Sequence, residues 1–144
     1  MSAMSDILEN RLLDHVFRGI TYTPPAAMFV ALMTAAANDT GGGTEVTGGN
    51  YSRLSVTCNS TNWTNSQASG TGASTGTDGT IENGVTFTFP TPSAGWGTVV
   101  SCAVYDASSG GNLLWYGTLN TSKVINSGDV VDFPAGTLSF QIDN

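Results

Sequence analysis

The stretch TVVSCAVY (98–105), DASSGG (106–111) and LLWYGTL (113–119) decides the fold. Two apolar runs, seven or eight residues long and rich in Val, Leu and aromatic side chains, are too short for helices of ordinary length. The Asp, Ser and Gly residues between them have the chemistry of a turn. An antiparallel pair of strands is predicted, the first of them buried.

The pattern repeats outward on the C-terminal side. Lys123–Ile125 and Asp129–Phe133 flank a turn at Asn126-Ser127-Gly128. After Pro134-Ala135-Gly136, Leu138, Phe140 and Ile142 alternate with Thr137, Ser139 and Gln141, so one face is predicted inward and the other outward. On the N-terminal side Val85, Phe87 and Phe89 alternate with Thr86 and Thr88 ahead of a turn at Pro90, Pro92 and Gly95. Trp96 follows, flanked by glycines, and is expected to plug one end of the fold. Further back, Tyr51–Cys58 reads as a strand. Ala26–Thr34 reads as one that is apolar on both faces. Between the strands lie a Gly-rich segment, 38–50, and a Ser/Thr/Gly-rich loop at 59–79 whose one large apolar residue is Trp63.

Only the beginning departs from period two. Ser5 is a candidate N-cap, with Asp6 and Glu9 in the first turn, where the helix dipole favours negative charge. Leu8, Leu12 and Val16, widened by Leu13, Phe17 and Ile20, make an apolar stripe. Asp14 and Arg18 form an i,i+4 pair, and Gly19 closes a helix placed at 4–19. The fold class expected is mainly β. It is an antiparallel β-sandwich of jelly-roll or Greek-key type in a single domain, 1–144, with one amphipathic N-terminal helix ahead of a sandwich at 22–144.

Composition narrows the function. Eleven acidic and four basic residues give a formal charge of −7, and the basic ones are scattered. Neutralising phosphates needs clustered Lys or Arg, so no nucleic-acid partner is expected, and no anionic membrane either. The start lacks a basic region followed by an apolar run, so no secretory leader is expected. One histidine, His15, and two distant cysteines, Cys58 and Cys102, supply neither a nucleophile–base pair nor metal-ligand spacing. The cysteines are expected as buried thiols, or else as a disulfide between neighbouring strands. Asp106 and Asp129 read as turn formers and Asp132 as a solvent-facing residue. No enzyme activity, cofactor or metal is expected. Trp63, Trp96 and Trp115 keep a sugar-binding or sugar-cleaving module open as a minor alternative.

The chain resembles a family of small tailed-phage virion proteins, often called tail fibre or minor tail proteins. Some jelly-roll members of that general class act as capsid cement. The resemblance rests on Leu8-Glu9-Asn10, Leu12-Leu13-Asp14-His15, Val30-Ala31-Leu32, Asp39 through Val46, Trp96-Gly97-Thr98-Val99, Gly111 through Leu114 and Asn126-Ser127-Gly128-Asp129. It covers most of the chain except 59–79, with Met1–Ala3 reading as an extension. It implies a structural role in a virion, the chain being made in the cytoplasm of a bacterial host. The shortness of the chain and its lack of heptads favour the capsid surface over the tail. The expected partners are then the major capsid protein and further copies of the chain, as a homotrimer. Leu8, Leu12, Val16 and Phe17 would anchor the helix, Gly42 and Thr44 would touch the capsid protein, and Trp63 would contact a neighbour. A tail fibre, minor tail or baseplate component is the alternative.

Overall fold

A computed structural model describes residues 2–64 and 79–142. The chain runs β1 (Ser2–Met4), α1 (Asp6–Phe17), β2 (Ala27–Ala35), β3 (Thr44–Glu45), β4 (Leu54–Thr57), β5 (Trp63–Thr64), β6 (Thr80–Asn83), β7 (Phe87–Thr88), β8 (Gly97–Tyr105), β9 (Leu113–Ile125), β10 (Asp132–Phe133) and β11 (Ser139–Gln141). One large sheet has the order β1-β9-β8-β2-β3, with β4 sharing the free edge of β2. Two small sheets, β10-β7 and β11-β6-β5, form the facing layer, and every pairing is antiparallel.

The mainly β sandwich with a single helix near its start is the architecture the alternation predicts. Its core lies between the layers. Val30, Leu32, Val56, Cys102 and Val104 of the large sheet meet Phe87, Phe89, Leu138 and Phe140 of the small ones. Strand β2 is covered on both faces, as its unbroken apolar run requires. Val30 and Leu32 face the core, while Ala31 and Met33 pack on the other side with Ala37, Ala103 and Leu113.

Trp96 closes one end of the sandwich. Its ring is buried edge-on to Tyr51 at 5.2 Å, and Nε1 donates to the Gly49 carbonyl at 2.9 Å. Gly49 has φ +54, and a Cβ there would lie 2.7 Å from the Ala94 carbonyl oxygen, so only glycine fits under the indole.

Several expectations need correction. Met4, expected as the first residue of the helix, belongs instead to β1, whose Ser2, Ala3 and Met4 pair with Gly117, Tyr116 and Trp115, and the helix proper is Asp6–Phe17. The two strands expected at 113–119 and 123–125 are one long strand. Its register against β8 jumps between Val99 and Ser101, where 119–122 bulge out. Only Phe87–Thr88 of the expected strand at 85–89 has strand geometry, although the Phe89 amide still donates to Val131. The long loop falls partly outside the described residues, at 65–78. Its described ends, Trp63–Thr64 and Thr80–Asn83, pair with each other as β5 and β6.

Candidate interaction surface

The helix is fastened at its beginning and free at its end. Ser5 is the N-cap and is buried: its Oγ accepts from the Leu8 amide and donates to the Leu113 carbonyl at 2.5 Å. Its own amide donates to Leu114. The start of α1 is thereby pinned to β9. Arg11 reaches Asp106 at 3.4 Å and lies over the Tyr22 ring, and the Tyr22 amide donates to His15 Nδ1 at 3.3 Å. Arg18 pairs with Asp14 at 2.7 Å. Gly19, with φ +68, turns the chain so that the Ile20 amide donates back to the Asp14 carbonyl.

At about 100° per residue the apolar arc sweeps from Leu8 through Leu12 and Val16 to Leu13 and Phe17, roughly half the circumference. The fold covers only one edge of it. Leu8 is buried and Leu12 half-buried, whereas Leu13 is 54% exposed, Val16 68% and Phe17 79%. Leu8 is therefore spent inside its own domain and is not available to a partner. Val16 and Phe17 project into solvent. This lone short helix gains its stability from one covered edge and leaves the other uncovered.

The other expected contact residues lie elsewhere. Gly42 is exposed with φ +80, in the tight turn after the Asn38–Gly41 bridge. Thr44 is exposed at the start of β3, and its carbonyl accepts from Thr34 Oγ1. Arg53 holds this corner rigid. Its guanidinium forms a two-point fork with Glu45 at 2.9 and 2.8 Å and donates to the Ala107 and Gly110 carbonyls, both at 2.8 Å. It also stacks on Tyr105 at 3.6 Å. Strands β3 and β4 and the β8–β9 turn are thus tied through one side chain.

Trp63 is not the exposed loop residue its neighbours implied. It is half-buried in β5, against Phe87 at 5.1 Å and Phe140 at 6.1 Å. With Met28, Cys58, Ile81, Trp115 and Phe140 it lines a cleft of about 390 Å³ where the two layers part. The Trp63 Nε1 proton is buried without a hydrogen-bond partner among the described residues. Sugar hydroxyls need several donors and acceptors in fixed places, and this almost wholly apolar lining is poorly suited to them.

Asp106 and Asp129 hold turns. Asp106 accepts from the amide and side chain of Asn112, both at 2.7 Å, and Asp129 accepts from the Asn126 amide at 2.7 Å. Burial pushes Asp106 upward, but the hydrogen bonds from Asn112 and Arg11 outweigh it and hold the carboxyl below its ordinary range. The Asp39 carboxylate accepts the Tyr116 hydroxyl and pushes that phenol up to about 12. Cys58 and Cys102 are unbridged; Cys102 is buried and raised to about 11, while Cys58 is exposed, against the expectation of two buried thiols. Among the described residues no three His, Cys, Asp or Glu side chains gather into a metal site, and no helix is long and apolar enough to cross a membrane.

Two positions that order the site were not found from sequence. Arg53 could have been suspected as the one arginine inside a strand pattern. Asn83, completely buried, gave only an Asn-Gly turn signal.

Residues 3–141 match the family model described as "Podophage GP4 fiber I protein gp80". No curated protein matches the chain.

Proposed function

The chain belongs to the podophage GP4 fiber I protein gp80 family, and from that premise we propose that it is a structural, non-enzymatic subunit of a fiber on a tailed-phage particle. The family is one of virion proteins, and its description favours the fiber over the capsid-cement role expected from the sequence. The observation that carries the reading is the half-covered helix. A domain that keeps Leu13, Val16 and Phe17 in water loses burial energy of about 25 cal/mol for each Å² left uncovered, and an assembly recovers it. The engagement of Asp106, Asp129 and Glu45 in structural hydrogen bonds supports a role through surface and shape.

Self-association, as the expected homotrimer, belongs to this reading, since a fiber is joined from subunits. A second reading, cement bridging the major capsid protein, is favoured by the sandwich fold, which among the described residues has no extended shaft. Imaging of the intact particle at subunit resolution, with the copy number counted from stained gels, separates the two. A dozen or a few dozen copies outside the shell is the expected result, and hundreds on the capsid lattice would establish cement. Particles lacking the chain altogether would end both readings.

A further inference from the structure

Strand β4 is an open edge of the large sheet. The Cys58 amide donates to the Ala26 carbonyl at 2.9 Å, and this fixes the alternation along the pair with β2. Leu54, Val56 and Cys58 turn their backbone groups toward β2, while Ser55 and Thr57 turn theirs away. Among the described residues the Ser55 amide and carbonyl and the Thr57 amide have no partner; the Thr57 carbonyl accepts from Asn62 Nδ2 at 3.0 Å. The facing layer stops in the same way. Phe89 donates to Val131, so Phe87 and Phe89 face β10, and Thr86 and Thr88 turn unpaired backbone groups outward. Between the two rims runs a groove of about 320 Å³ lined by β4, Asn62 and residues 85–88.

Nothing guards this edge. Strand β4 contains no Pro, no Lys and no bulge, the usual devices that keep an edge from pairing. The opposite edge of the sheet is covered, since β1 lies against β11 and the Gln141 amide donates to Ser2 Oγ at 3.3 Å. Copies of a chain with a formal charge of −7 repel one another, yet no residue lining the groove is charged. Two copies can meet here with no carboxylate facing another. The edge is also complementary to itself. With β4 set antiparallel to β4 across a two-fold axis at Ser55, each Ser55 amide meets the other Ser55 carbonyl. Each Thr57 amide then meets the Arg53 carbonyl of the other copy, which has no partner within its own chain. This register does not depend on the Thr57 carbonyl that Asn62 occupies. The Arg53 fork on Glu45 already holds the start of β4 in place, so pairing costs little ordering.

We propose that the chain forms a two-fold dimer by pairing β4 with β4 of a second copy, so that the six-stranded sheet continues across both. Such a contact goes beyond the fiber reading and serves a cement protein equally. It closes at two copies and is separate from any three-fold one. One short strand pair buries little surface, so the dimer depends on concentration.

The test is sedimentation velocity of the purified full chain over a series of concentrations, with circular dichroism as a check that each variant folds. The wild type is expected to pass from monomer to dimer, more readily in added salt, which screens the repulsion between copies. Ser55→Pro removes the amide at the axis and leaves the bonds to β2, so it should give monomer. Ser55→Lys and Ser55→Asp, at the same exposed position, should each weaken association at least tenfold, because like charges then lie directly opposite. An equal mixture of those two should restore the dimer. Phe17→Glu, on the helix, should leave it unchanged. A wild type that stays monomeric throughout overturns the proposal, as does a Ser55→Lys protein that dimerises normally. Either result leaves the fiber reading standing, because particle imaging decides that separately.

Discussion

Asn83 gives the sharpest forecast. Its side chain is buried completely, and its two N–H groups serve three carbonyls: Val85 at 2.9 Å, Phe133 at 3.1 Å and Pro134 at 2.9 Å. Its oxygen accepts from the amides of Thr137 and Leu138 at 3.1 and 2.8 Å. One residue thereby fastens β6 to the chain on both sides of the β10–β11 turn. Asn83→Asp keeps the shape and removes both donors. Each buried acceptor left unpaired costs about 1–3 kcal/mol, so the three carbonyls together, after partial relaxation, cost about 3–5 kcal/mol. That is a large part of the ~5–15 kcal/mol that holds a domain folded. A carboxylate facing carbonyls also prefers its proton, so in the folded variant its pKa rises above the unfolded value of about 3.9. Below the unfolded pKa both states are protonated and the charge penalty is absent; it grows as pH rises through that value and is complete above the folded pKa. Urea unfolding followed by tryptophan fluorescence should therefore show a large loss at pH 7 and a smaller one near pH 3.5. A loss under about 1 kcal/mol at pH 7, or one that does not change with pH, would refute this account of the buried amide.

Three further outcomes follow from the structure. Arg53→Lys should cost about 1–3 kcal/mol, seen as a Tm several degrees lower, because an ammonium cannot reproduce the fork on Glu45 or the stack on Tyr105; an unchanged melt would count against the clamp. A thiol reagent should titrate Cys58 in the native protein and reach Cys102 only after denaturant is added; two equal fast phases would contradict the burial of Cys102. Asp106, held below its ordinary range, stabilises the fold above the unfolded carboxyl pKa, and this contribution disappears as pH falls through the folded one. Asp106→Asn should flatten the acid limb of the stability curve between pH 5 and pH 2, and an unaltered limb would remove Asp106 from the list of contributors.

What sequence reasoning could see was whatever depends on local pattern. The cap at Ser5, the Asp14–Arg18 pair, the two-faced burial of β2 and the plug at Trp96 each follow from neighbours in the chain, and the structure has them. Strand β1 gave no signal, because Ser2, Ala3 and Met4 carry no alternation and owe their geometry to β9. Trp63 misled for a similar reason. Its polar neighbours describe a loop, yet Phe87 and Phe140, distant in the sequence, draw the ring inward. How far the helix stripe is covered was also out of reach, since periodicity shows that a face is apolar and not what lies against it. The roles of Arg53 and Asn83 come from carbonyls tens of residues away, which no window of sequence contains.

The pairing of β1 bears on how the protein is made. Ser2 lies opposite Gly117 and Met4 opposite Trp115, so residues 2–4, once synthesised, must wait for more than a hundred later ones before they find their place. Meanwhile α1, too short to persist by itself in water, has neither β9 to dock on nor a cap partner at Leu113. The β8–β9 hairpin, local in sequence, can form first and serve as the platform on which β1 and α1 land last. For that interval the apolar stripe of α1 has nothing to cover it, and this is when a host chaperone would most readily engage it.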